Sequence, residues 1–172
     1  MELAFYLSGL VAVLATVGVI TGKNPVHAVV YLIVSLIAVA LVFFALGAPF
    51  AGALEIIVYA GAIMVLFVFV VMMLNLGPDE DSDSAGWRHP RHWLGPSILA
   101  AILLAVLVTL LIRGDMAQVI EGDLLTARSV ALTLFGPWLM VVELSGLLLL
   151  GALIVASHVG RRSNPLRNRS GH

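Results

Sequence analysis

The sequence predicts an all-α integral membrane protein: five transmembrane helices, N-terminus outside (periplasmic), C-terminus cytoplasmic. Three observations carry this prediction. Of the 172 residues, 61% are hydrophobic and only 11% are charged, whereas an ordinary soluble domain carries about 25% charged residues. Mean hydropathy is +1.10. Five uninterrupted apolar stretches each approach the roughly 20 residues that cross about 30 Å of hydrocarbon. The nine Lys and Arg residues fall unevenly on the two sides that five spans would define. The same composition excludes a soluble domain, a disordered chain and a nucleic-acid binder, because a net charge of −1 offers phosphates no basic surface. With no Cys, the chain has no disulfide, thiolate metal site, cysteine-held cluster or c-type haem attachment.

The first span runs over residues 3–20. Glu2 stands where a signal peptide would carry positive charge, and the apolar run exceeds an h-region, so this reads as a retained helix. Gly22-Lys23-Asn24-Pro25 leads into the second span, 25–46, with Asn24 as cap and Pro25 at the first helical position. Gly47-Ala48-Pro49 ends that span and turns the chain into the third, 53–76, which Gly77-Pro78 stops. A loop at 77–93 precedes the fourth span, 94–112. The fifth, 135–157, carries Gly136-Pro137 at its start and is followed by a tail, 158–172. Continuous apolar runs lack the alternation of a barrel wall. No connector is long enough for a soluble domain, so 1–172 reads as a single membrane domain.

Orientation follows from Lys and Arg. Arg113 and Arg128 lie on the side of the N-terminus, whereas Lys23, Arg88, Arg91, Arg161, Arg162, Arg167 and Arg169 lie on the other. The basic side is cytoplasmic, which makes the 77–93 loop and the 158–172 tail cytoplasmic. The acidic run from Asp79 to Asp83 counts little in this rule. Trp87, Trp93 and Trp138 stand at span ends, as interfacial anchors do.

Few ionisable groups fall inside spans. Glu143 lies three residues from the middle of the fifth span. It is either a proton-relay carboxyl or a neutral group hydrogen-bonded to a neighbouring helix. Glu55 lies nearer the outer end of the third span and shares a helical face with Tyr59, four residues on. The pair either anchors a hydration path or sits at the interface. Ala60-Gly61-Ala62 supplies three small residues mid-span. They permit close helix approach, and Gly61 also makes a kink or π-bulge physically accessible. Met64, Met72 and Met73 read as core residues. His89 and His92 flank Pro90 in a loop, a poor metal site without further ligands. No phosphate loop, dinucleotide fingerprint or nucleophile–base pair is present.

The stretch from Phe50 to Leu76, containing Glu55-Ile56-Ile57-Val58-Tyr59-Ala60-Gly61-Ala62-Ile63-Met64, closely resembles the third helix of the chain J family. That family is a membrane subunit of bacterial NADH–quinone oxidoreductase (respiratory complex I). Asn24-Pro25-Val26-His27-Ala28, Leu134-Phe135-Gly136-Pro137 and Val142-Glu143-Leu144 match as well. The likeness weakens over 78–92, over 114–128 and in the tail. It implies five transmembrane helices with an external N-terminus, in the bacterial inner membrane. It also implies no cofactor on this chain, with FMN, iron–sulfur clusters and quinone on partner subunits. The implied partners are chains A, H and K, the antiporter-like subunits and the lipid bilayer. The resemblance implies that the third helix can carry a π-bulge that forms and relaxes, altering a hydrated path. By position this points to Glu55, Tyr59, Gly61, Ala62, Met64 and Val65 as proton-path or conformational residues, with Glu143 added by its depth. Two rival readings stand beside this one: a purely structural or assembly subunit, and a small subunit of a related cation–proton antiporter or membrane-bound hydrogenase.

Overall fold

The computed structural model describes residues 2–22, 24–74, 90–113 and 125–160. Every regular element among them is helical: α1 (Glu2–Thr21), α2 (Pro25–Ala45), α3 (Pro49–Leu54), a π-helical segment (Glu55–Ile63), α4 (Met64–Met73), α5 (Pro90–Arg113), α6 (Ala127–Leu134) and α7 (Leu139–Gly160). Among the described residues, five helices are long and apolar enough to cross a membrane: Glu2–Thr21, Pro25–Ala45, Pro49–Met73, Trp93–Leu110 and Leu139–Gly160. The third of these runs without a break through α3, the π segment and α4.

Local chemistry explains where the boundaries fall. The side chain of Asn24 accepts the Val26 N–H at 3.0 Å, and Pro25 opens α2 where a missing N–H costs nothing. After α2, Gly47 adopts φ 77°, a left-handed conformation that residues with a Cβ resist. Pro49 then starts the third span at its first turn, four residues before the apolar run suggests. The fifth span begins later than the sequence suggests. Phe135–Trp138 form a turn, and Pro137 offers no N–H to continue a ladder, so α7 opens at Leu139. The helix α6, just before that turn, holds Arg128, which the sequence alone places in a connecting loop. Lys23, the acidic run 79–83, Trp87, His89 and the tail beyond Gly160 lie outside the described residues, as does the side chain of His92.

Two compact units divide the chain, one through Thr126 and one from Ala127 onward. In the first, Val11 and Ala15 of α1 join Val34, Ala38 and Leu41 of α2 and Leu103 and Val106 of α5 in one buried cluster. Ala15 and Ala38 are fully buried. Between helices in a bilayer, close approach rather than water exclusion supplies the attraction, and small residues permit it. Tyr31 of α2 uses the same device: its ring lies over Gly18 of α1, where an added Cβ would come within 2.8 Å. Its hydroxyl occupies the space a Cβ on Gly95 of α5 would need.

One polar joint crosses the α1–α2 seam. Thr16 Oγ1 and Ser35 Oγ lie 2.9 Å apart. Thr16 also donates to the Ala12 carbonyl at 2.8 Å, and Ser35 reaches the same oxygen at 3.2 Å. A hydroxyl in hydrocarbon must find a partner, and these satisfy each other across the interface.

Candidate functional site

The third span packs against α2 through all three of its pieces. Gly52 makes the tightest contact: an added Cβ would stand 2.9 Å from the Ala40 carbonyl oxygen and 3.1 Å from the Phe44 ring. Beyond Leu54, the residues that are not exposed form a single row, Glu55, Ala60, Met64, Val68 and Val71. With Gly52 the steps are three, five, four, four and three residues. A regular helix steps by three or four on one face. The five-residue step, from Glu55 to Ala60, falls inside the π segment, which spans Glu55–Ile63.

The backbone shows the same extra residue. At the end of the segment the Met64 N–H donates to the Tyr59 carbonyl, five residues back. At its start the Glu55 N–H still reaches Ala51 and Gly52, four and three residues back. Gly61 sits within the wide turns. An added Cβ there would lie 3.1 Å from the Ile56 carbonyl oxygen, again five residues back, so a larger residue must push that backbone aside. Of the two readings that the sequence leaves open around Gly61, π winding and ordinary close packing, the structure shows π winding, which composition alone does not favour.

The other expected residues are placed as follows. Glu55 is half-buried in the row toward α2. Tyr59 stands beside it with 52% of its surface exposed. Ala62 and Val65 are exposed, and Met64 is half-buried in the packed row. Met72 and Met73, expected in the core, are exposed at 61% and 82%, because the third span has one packed row and they lie off it. Glu143 belongs to the second unit. It is exposed on α7, four residues past the start of that helix at Leu139. It is thus closer to an end than the sequence suggests, because α7 starts at the turn and not at Phe135. No residue of α7 is buried.

Sequence reasoning misses the residues that hold the span. Gly52 and Val71 are its two buried residues, and neither carries a chemical signal. His27, which the sequence shows only as lying near a span end, rests against Trp93 with ring centroids 5.6 Å apart.

The chain matches the family model described as NADH-ubiquinone/plastoquinone oxidoreductase chain 6 over residues 15–159. It is 60% identical to the NADH-quinone oxidoreductase subunit J of Escherichia coli over 161 residues, covering 94% of this chain and 87% of that one. It is 57% identical to the subunit J of Pseudomonas aeruginosa, covering 94% and 98%. The Buchnera aphidicola protein of the same name, from the subspecies Acyrthosiphon pisum, is 48% identical over 98% and 99%. The π-wound third span, with Gly61 at its centre, lies wholly inside the matched region, and on this likeness the chain belongs to the NADH-ubiquinone/plastoquinone oxidoreductase chain 6 family, as a subunit J.

Proposed function

We propose that this chain is a membrane-arm subunit of a proton-pumping NADH:quinone oxidoreductase, and that its third span is a switch coupling quinone reduction to proton translocation. The observation that carries the reading is the five-residue step from Glu55 to Ala60 in the row that meets α2. A π turn holds one residue more than an α turn. Removing it rotates everything beyond by about 100°. The packed row would then be taken by residues one position earlier: Tyr59 for Ala60, Ile63 for Met64, Phe67 for Val68, Val70 for Val71. A phenol and a phenyl ring replace small side chains at the α2 interface, Leu66 swings toward it, and Val65 and Ala62 change face. Such an exchange closes or opens space for a file of water beside Glu55. Glu143, on the fifth span, is a second candidate proton-carrying carboxyl of the chain.

In this reading the chain holds no redox centre. FMN, iron–sulfur clusters and quinone belong to partner subunits, and the lack of any Cys fits that division. Chains A, H and K and the antiporter-like subunits are the partners, and the fully unburied α7 supports a need for them. The Lys and Arg asymmetry supports an external N-terminus and a cytoplasmic C-terminus in the bacterial inner membrane.

Gly61→Leu tests the switch in the assembled enzyme, in inverted membrane vesicles. The bulky side chain must displace the Ile56 carbonyl. Protons pumped per NADH oxidised should fall at least two-fold while the complex still assembles. An unchanged ratio with unchanged helix winding would sink the switch and leave the chain a structural subunit.

A further inference from the structure

Gly52 and Val71 are the buried residues of the third span, and they stand nineteen positions apart. Five turns of regular helix take about 18 residues. An all-α span would therefore carry its second buried residue about 100° off the face of the first. One extra residue in the π segment removes that offset. Gly52 itself leaves no room for a larger residue, because an added Cβ would stand 2.9 Å from the Ala40 carbonyl oxygen.

The far end has a different property. Val71 is 7% exposed and its neighbour Val70 is 44% exposed. In an α-wound span Val70 would occupy the place of Val71, so an identical side chain fills the same site in either winding. We propose that Gly52 and the Val70–Val71 pair are positioning residues: Gly52 fixes the upstream register, and the adjacent valines form a downstream seat with two registers. Val71 in the seat requires the π turn, and Val70 in the seat requires its absence. The two windings then differ little in packing at this end, and the preference between them is set by which valine fits better. The two-register seat rests on the third span being able to wind both ways, and its consequence for pumping rests further on that span being the switch.

The test uses the whole complex, with the winding of the third span read by electron cryomicroscopy and pumping read in vesicles. Val71→Ala should raise the α-wound fraction several-fold over the unaltered complex, and Val70→Ala should lower it or leave the span fully π-wound. Val71→Ile should restore the original winding. Deleting Ile57 leaves eighteen positions between the seats, so the span should wind as α throughout, assemble normally and pump fewer protons per electron. Equal winding in the two alanine variants overturns the proposal, as does a π turn that survives the deletion or a deletion variant that does not assemble. If the deletion variant is α-wound and assembled but pumps at the unaltered ratio, the seats stand and the switch reading fails.

Discussion

The α1–α2 seam and the third span are both apolar helices packed on α2, yet they are held in opposite ways. The seam is closed from end to end: Ala15 and Ala38 are fully buried, two hydroxyls bond across it, and Tyr31 fills the space left by two glycines. The third span touches α2 along one row and leaves Ile57, Tyr59, Leu66 and Phe69 exposed. Its irregular winding, over Glu55–Ile63, falls between its two buried residues, Gly52 and Val71. Close approach of backbones and a polar joint hold the seam, whereas a single shallow row holds the third span. In the proposed switch, α1, α2 and α5 are the fixed platform against which the third span turns.

The firmness of the seam is tested most severely at Tyr31. Gly95→Leu or Gly18→Leu drives a side chain into its ring or hydroxyl, an overpacking cost of about 3 kcal/mol. The amount of assembled complex on native gels should fall to a small fraction, and Tyr31→Ala should partly restore it. A weaker effect is expected at Gly52. Gly52→Val meets the Ala40 carbonyl and a phenyl ring that can shift, costing about 2 kcal/mol in thermal unfolding of the complex. At the polar joint, Ser35→Ala removes both contacts that cross the seam, to Thr16 Oγ1 and to the Ala12 carbonyl, and interhelical hydrogen bonds average about 0.6 kcal/mol in membranes. A double-mutant cycle with Thr16→Val should return a coupling of that size. The smallest effect belongs to the π segment, where Tyr59 is 52% exposed. Tyr59→Phe should leave thermal stability within about 0.5 kcal/mol while altering protons pumped per electron. A large stability loss there would mean the third span is as firmly held as the seam.

Much of this architecture is legible in the sequence. Hydrocarbon thickness sets a length, and five apolar runs meet it. Asn24-Pro25 marks a helix start because cap and ring chemistry act within a few residues. What stays hidden depends on register or on distant partners. The start of α7 escapes a reading of hydropathy because Phe135 and Trp138 carry no charge and prolong the apolar run, and only the missing Pro137 N–H and the turn reveal the break. The same misplacement sets Glu143 too deep. The π winding leaves no compositional trace, since one added residue changes which side chains face α2 without changing what they are. The resemblance draws attention to Gly61, but Gly52 and Val71 become visible only once burial shows where the row begins and ends. The joint of Thr16 and Ser35, nineteen residues apart in sequence, follows from the antiparallel pairing of two helices and from nothing local.

That joint has a property of its own. Two hydroxyl hydrogens serve three short contacts among Thr16, Ser35 and the Ala12 carbonyl. Whichever oxygen donates to the other, a bond across the helices survives, so the arrangement is degenerate and its direction can reverse with no heavy atom moving. Transposing the two residue types, Thr16→Ser together with Ser35→Thr, should therefore leave the clasp intact, and over evolutionary drift either residue is free to become the other.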